Sequence, residues 1–256
     1  MLDGERWVFL PDAHIETKSI NGSRWKPDVS KSLWTALEFC KDFKPHGTII
    51  GGDFLNLDHA GRFSKNKPRL REGRRLRHDY ALGNEILDVV DKFTQQKKVF
   101  LMGNHEARLE DWLDEHPQVE GLVEVKQGLH LVERGYEVIP ENKTYKVGKA
   151  NFTHGWYWTL HHAKKHVLEM GDNIFYGHVH DIQSFTKTNY DQQPIIGQSC
   201  GCLCNVNPSY KRDAPNRWVN GFGIFYFSKN GNFTPYFPII VKGEFWWNGR
   251  KYGRSL

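Results

Sequence analysis

Five short strings rich in His and Asp occur in a fixed order along this chain, and each follows an apolar run. They are Asp12-Ala13-His14, Gly51-Gly52-Asp53, Gly103-Asn104-His105-Glu106, Thr153-His154-Gly155 and Gly177-His178-Val179-His180. Short apolar runs bounded by glycine read as buried strands, so the polar groups sit where strands end. In an open α/β sheet the ligand crevice lies outside the carboxyl ends of neighbouring strands. A lone Asp-x-His, or a lone His at a strand end, is more often structural than functional. Five such strings in order, each closing an apolar run, point instead to one pocket lined by oxygen and nitrogen donors.

The rest of the pattern fits that frame. Trp7-Val8-Phe9-Leu10 reads as a first strand, Thr48-Ile49-Ile50 as a second and Lys98-Val99-Phe100-Leu101-Met102 as a third. Leu33, Trp34, Leu37 and Phe39 recur at helical spacing up to a stop near Lys44-Pro45. Leu76, Tyr80, Gly83, Leu87, Val90 and Phe93 mark the clearest amphipathic helix. In the second half, Ala150–Thr153 and Asn173–Tyr176 read as short strands, each delivering a His, with a helix expected over Thr159–Met170. Beyond Pro194 strands and turns alternate, and Asn230-Gly231 and Asn248-Gly249 are hairpin signals. Apolar runs alternating with helical segments argue for an α/β fold, read here as a single domain over residues 1–256.

Each candidate donor has a local reason to be available. Asp12 and His14 lie two apart just past a strand end, so both side chains can project to one side. Asp53 follows paired glycines that let the backbone turn tightly. Asn104 and His105 are expected to end the third strand in the same way, and His154, His178 and His180 to close over the crevice from the second half.

The ordered set D-x-H, G-D, G-N-H-E, H and G-H-x-H resembles the calcineurin-like metallophosphoesterase superfamily over positions 12 to 180. In style it looks like the stand-alone members found in phage and bacteria. The resemblance implies two packed mixed β-sheets flanked by helices, a four-layer sandwich with two divalent metal ions between the strand ends. One ion would be held by Asp12, His14, Asp53 and His180, the other by Asp53, Asn104, His154 and His178, with Asp53 bridging. His105 would bind no metal; it would protonate the leaving oxygen or stabilise the pentacoordinate charge. Asn56 and Glu106 would lie just outside the ligands. Oxygen and nitrogen donors without thiolate favour manganese, with iron, zinc or magnesium as alternatives. The protein Ser/Thr phosphatase branch continues after the second motif with Asp-Arg-Gly, whereas Leu57-Asp58 follows Asn56 here, which disfavours that branch.

Composition bears on the substrate. Net charge is only +5, but eight Lys or Arg and a single acid, Glu72, fall between Arg62 and Arg77. Such a run is either a footprint for polyanions or a solvated helix face. Arg62, Arg74, Arg75 and Arg77 are the candidate substrate contacts, with Trp156 as a stacking surface beside Tyr157 and Trp158. Basic charge and aromatics beside a two-metal site favour a phosphodiester of nucleotide or nucleic-acid type. A phosphomonoesterase, or a non-catalytic scaffold, is the alternative. Cys200, Cys202 and Cys204 at alternate positions read as buried thiols on one strand face, with a redox or metal role as the alternative. No apolar stretch is long enough to cross a bilayer, and the acidic start Met1–Arg6 is unlike a signal peptide, so cytoplasmic residence is expected.

Overall fold

Strand alternation decides which layer each side chain enters. In β1 (Glu5–Leu10), Trp7 and Phe9 join one buried cluster while Val8 and Leu10 join another. The same two-residue period splits Ile49 from Ile50 in β4 (Gly47–Ile50) and Val99 and Leu101 from Phe100 in β5 (Lys97–Leu101). Strands buried on both faces need apolar residues at every position, which is why these runs are continuous rather than alternating. The computed structural model describes residues 3–20, 24–60, 66–188, 190, 193–208 and 215–253.

These three strands run parallel, with Val8 beside Thr48 and Ile50 beside Phe100. Together with β6 (Tyr136–Ile139), β12 (Gly223–Phe227) and β13 (Phe233–Tyr236) they form a six-stranded mixed sheet in the order β13-β12-β1-β4-β5-β6. A second mixed sheet is built from β7 (Tyr145–Val147), β8 (Ala150–Thr153), β9 (Ile174–Tyr176), β10 (Ser184–Lys187) and β11 (Ile195–Ser199). Its order is β10-β11-β9-β8-β7, with β8, β9 and β11 parallel.

The sheets pack face to face through aromatic side chains. Phe152 of the second sheet lies 5.7 Å from Phe9 and 4.9 Å from Phe225, ring centroid to ring centroid. Helices α1 (Lys31–Phe43) and α3 (Leu76–Phe93) bury Leu33, Leu37, Ile86 and Val90 on the outer face of the first sheet. Helix α6 (His162–Met170) covers the second through Val167 against Ile174. Helix, sheet, sheet, helix gives the four layers expected. Shorter helical pieces are α2 (Pro68–Arg71), α4 (Asn104–Glu115) and α5 (Val125–Gly128).

Local signals were honoured at several ends. Ser30 Oγ caps α1 by accepting from the Ser32 and Leu33 amides at 3.1 and 3.2 Å, and the helix stops at left-handed Lys44 just before Pro45. The Asn230-Gly231 turn joins β12 to β13, and Asn248-Gly249 joins β14 (Phe245–Trp247) to β15 (Arg250–Tyr252).

Four features differ from the sequence expectations. Asn104 and His105 do not end the third strand but open α4, because Glu106 turns back to accept the Gly103 amide and starts a helix. Helix α6 begins at His162 rather than Thr159. Cys200, Cys202 and Cys204 are all buried, yet they share no strand: β11 ends at Ser199, Gly201 has φ 76°, and Cys202 makes only an isolated bridge to Asn220. Last, β2 (Glu16–Ser19) and β3 (Trp25–Asp28) pair as a hairpin that polar composition concealed. Thr17 binds it to α3 through its amide and hydroxyl, both 2.7 Å from Asp79 Oδ1. Among the described residues no helix is long and apolar enough to cross a membrane.

Truncating Phe152 should therefore loosen both sheets at once. Phe152→Ala is expected to cost about 3–5 kcal/mol, read as a lower urea midpoint with an unchanged slope. A loss under about 1 kcal/mol would mean that the inter-sheet aromatics repack freely.

Candidate metal centre

Parallel β1, β4 and β5 end at one edge of the first sheet, and parallel β8 and β9 end at one edge of the second. The residues just past these ends meet. Ligating atoms of Asp12, His14, Asp53 and His180 lie within 4.8 Å of one another, and so do those of Asp53, His154 and His178. Asp53 alone belongs to both groups. Its Oδ2 is the atom that faces them, 3.5 Å from His14 Nε2 and 3.4 Å from His154 Nε2. Asn104 joins the second group through Oδ1, 3.0 Å from His154 Nε2.

Buried backbone hydrogen bonds aim these side chains. Asp12, fully buried, accepts the His178 amide on both oxygens at 3.0 and 2.9 Å. Asp53 Oδ1 accepts the His105 amide at 2.8 Å, a carboxylate at the positive end of α4. His154 Nδ1 lies 2.9 Å from the Gly51 carbonyl and donates to it, which turns Nε2 toward Asp53 as the ring nitrogen that faces the centre. Below them Glu106, also fully buried, accepts the amides of Asp53 at 2.9 Å, Leu55 at 3.0 Å and Gly103 at 3.0 Å. Burial, with Asp53 nearby, pushes its carboxyl up to about 7. Asn56 is held differently: its amide donates to Glu16 at 2.5 Å, and its backbone carbonyl meets His105 Nδ1.

Close approach explains two of the motif glycines. A Cβ at Gly177 would lie 2.0 Å from Asp12 Oδ2, and one at Gly103 would lie 2.3 Å from Asp53 Oδ1. Each glycine thus leaves room for a carboxylate supplied by another string. Backbone strain collects here too. Of eleven non-glycine residues with positive φ among the described residues, five are Asp12, His14, Asp53, His178 and His180.

The donor set fits cations. Ligands held about 2.1 Å from one ion sit roughly 3 Å apart in an octahedron and roughly 3.4 Å apart in a tetrahedron. His14 Nε2 and His180 Nε2 are 3.1 Å apart, His180 Nε2 and Asp12 Oδ1 3.1 Å, and the Asp53 distances fall at 3.4–3.5 Å. His178 Nδ1 is buried with no hydrogen-bond partner, the state of a nitrogen that needs an ion or a proton. Burial holds His14 well below the usual imidazole range and His178 down to about 4. Against the same burial, Asp53 pushes His154 up to about 10 and Asp12 raises His180. The two carboxylates draw positive charge onto the imidazoles that face them.

His105 stands beside these groups and belongs to neither. Its Nε2 is 3.8 Å from Asp53 Oδ2, while Nδ1 meets both the Asn56 carbonyl and, at 3.1 Å, the Arg108 guanidinium. Burial lowers its basicity despite Asp53. Arg108, one helical turn on, also binds Asp58 at 3.1 Å.

The centre opens into a cavity of about 730 Å³ whose wall includes Lys18, Arg74, Arg108, Cys204 and Trp218. Of the sequence candidates for substrate contact, Arg74 lines this cavity and is paired with Glu16. Arg75 and Arg77 are exposed on the start of α3 and lie outside the cavity wall; Arg62 lies outside the described residues. Trp156 is also off the wall, stacked on His166 with its indole donating to the Asn142 carbonyl at 3.3 Å. Trp158 is the exposed aromatic, 5.9 Å from the His178 ring. Arg108 was within reach of sequence reasoning, at i+3 from His105. Trp218 and Lys18 come from segments carrying no motif.

No protein-family model and no curated protein matches the sequence. Among solved structures the chain is similar to Vps29 of Chaetomium thermophilum, with TM-score 0.38 and 10% identity over 91% of this chain and 96% of that one. It is also similar to GAP50, the anchor in the inner membrane complex of Plasmodium, with TM-score 0.35 and 10% identity over 94% of this chain and 86% of that one. Likenesses at this level carry no argument about function.

Removing the Glu106 carboxylate would strand three buried amides. Glu106→Ala is expected to cost about 3–5 kcal/mol, and Glu106→Gln to cost nearly as much, since one amide N–H₂ must then face a backbone donor. Chemical denaturation of both variants checks this, and a Gln variant as stable as the parent would contradict it.

Proposed function

We propose that this chain is a binuclear metal-dependent phosphoester hydrolase of the calcineurin-like metallophosphoesterase type, acting on phosphodiesters. The observation that carries the reading is the pair of donor groups sharing Asp53, with His105 beside them and bound to neither. Asp12, His14, Asp53 and His180 would hold one divalent ion, and Asp53, Asn104, His154 and His178 the other, manganese being the first choice and iron, zinc or magnesium the alternatives. Ions held there would supply an activated water and stabilise the charge that develops on phosphoryl transfer.

The chain's own residues do the remaining work. Asp53 sets the spacing of the two groups, its Oδ1 anchored by the His105 amide and its Oδ2 turned inward. His105, oriented by the Asn56 carbonyl and flanked by Arg108, presents Nε2 as the atom that takes up and releases a proton at the leaving oxygen. Glu106 and Asn56 keep the loops in register from outside the ligand set.

Charge in the wall supports a diester over a monoester. Among the described residues Lys18, Lys67, Arg74 and Arg108 share the wall with Glu16, Asp28 and Asp58, Asp53 being committed to the centre. Lys18 pairs with Asp28, Arg74 with Glu16 and Arg108 with Asp58, so beyond Lys67 the side chains of the wall bring little uncompensated positive charge to a dianionic monoester. A singly charged diester demands less. Nucleic acid is one diester of this kind, and exposed Arg75 and Arg77 would lie along its path outside the cavity.

Turnover of bis- against mono-p-nitrophenyl phosphate with manganese tests the preference. Faster diester cleavage is expected, clear monoester preference sinks it, and no cleavage across a broad ester panel leaves a scaffold. Asp53→Asn should weaken two-ion binding by at least about a hundredfold; calorimetry showing two ions at parental affinity would refute the bridge. His105→Ala should retain both ions and lose about 10²–10⁴ in kcat.

A further inference from the structure

A third group of donors lies behind the centre. His180 has two ring nitrogens, and they face opposite ways. Nε2 looks into the centre, 3.1 Å from Asp12 Oδ1, while Nδ1 looks back at Cys204 Sγ, 4.0 Å away. Cys202 completes the set: one ligating atom from each of His180, Cys202 and Cys204 falls within 4.8 Å of the other two. All three residues are buried, yet Cys204 reaches the wall of the main cavity, so an ion has a way in.

We propose that Cys202, Cys204 and His180 form a separate binding site for a soft, thiolate-preferring cation. Two sulfurs and an imidazole are the donor chemistry of zinc, copper(I) and cadmium, and not of the hard ions suited to an oxygen-rich cage. A sulfur at about 2.3 Å and a nitrogen at about 2.1 Å from one tetrahedral ion sit roughly 3.6 Å apart. The 4.0 Å separation of Cys204 Sγ and His180 Nδ1 needs only a small adjustment to reach that value, and it is long for a hydrogen bond that would otherwise explain the contact. On binding, each thiol S–H bond breaks as a sulfur–metal bond forms, and both protons pass to solvent. Water from the cavity that Cys204 lines would complete a tetrahedral site.

Sharing His180 has a consequence that rests on the hydrolase reading above. A neutral imidazole has one lone pair, so His180 serves the thiol site through Nδ1 or the centre through Nε2, but not both. A soft ion behind the centre therefore competes with a hard ion inside it. The cysteines that make no part of the conventional ligand set become the means by which a thiophilic metal turns the centre off.

Cadmium titration of the fully reduced protein, followed through the ultraviolet charge-transfer band of cadmium thiolates, tests the site without reference to any activity. One cadmium per chain is expected to give the band in the parent and in Cys200→Ser, which removes a neighbouring buried thiol outside the group. Cys202→Ser and Cys204→Ala should each lose most of it while keeping the parental circular dichroism. Asp53→Asn should keep the band, because it damages only the hard-ion centre; this separates failure of the thiol site from failure of the hydrolase reading. Saturating manganese should weaken cadmium binding at the thiols by at least about tenfold, a shift of about 1.4 kcal/mol in binding free energy. A parent with four free thiols and no band overturns the proposal, as does a band undiminished in both cysteine variants or lost only in Asp53→Asn. Cadmium affinity indifferent to manganese overturns the shared role of His180.

Discussion

The buried carboxylate of Glu106 ties the site to the fold. It accepts amides from Asp53 and Leu55 on the loop after β4 and from Gly103 on the loop after β5. The loop after β4 pairs with the segment after β1 through the Ile15–Leu55 bridge, but these three amides go to Glu106 instead, and an unpaired buried amide costs about 1–3 kcal/mol. One acidic side chain therefore holds Asp53 and the start of α4 in a single frame. His105 depends on that frame twice, through its amide on Asp53 Oδ1 and through its ring on the Asn56 carbonyl.

Around this frame the chain accepts strain to bring donors together. Asp12, His14, Asp53, His178 and His180 all adopt left-handed backbone conformations, each costing of order 1–3 kcal/mol for a non-glycine residue. The two sheets repay that through their aromatic interface, because the strand ends can be strained only while the strands stay packed. Gly103 and Gly177 contribute by absence: the atoms they lack are where the carboxylates of Asp53 and Asp12 lie. Each string in the sequence is thus fitted to a different string in space, and no string is a site alone.

The wall of the cavity follows another rule. Lys18, Arg74 and Arg108 there are held by carboxylates on the β2–β3 hairpin and the loop after β4, so much of the charge is balanced locally. Lys18, Glu16 and Asp28 all belong to that hairpin, and Thr17 fixes it to α3 through Asp79. The hairpin thus lines the cavity while adding little to the hydrophobic core.

Much of this could be read from the residues before any coordinates. Continuous apolar runs such as Trp7–Leu10 and Val99–Leu101 announce strands buried on both faces, since only two-sided burial makes every position apolar. The donors at their ends follow from the same runs, and the structure gathers all of them. The β2–β3 hairpin was hidden because Glu16-Thr17-Lys18-Ser19 is polar, its pairing stabilised by ions and by Asp79 rather than by a hydrophobic face. Asn104 reads as a strand end in the sequence because the helix start depends on Glu106 reaching back, which is a matter of where a side chain folds. The cysteines looked like one face of a strand because alternate spacing means a shared face only while the strand continues, and it stops at Ser199. Local periodicity and end signals determine which residues become strands and which donors are left at their tips. Tertiary packing alone decides which tips meet, which ring nitrogen faces which partner, and that Cys204 stands behind His180, since those contacts join positions far apart in the chain.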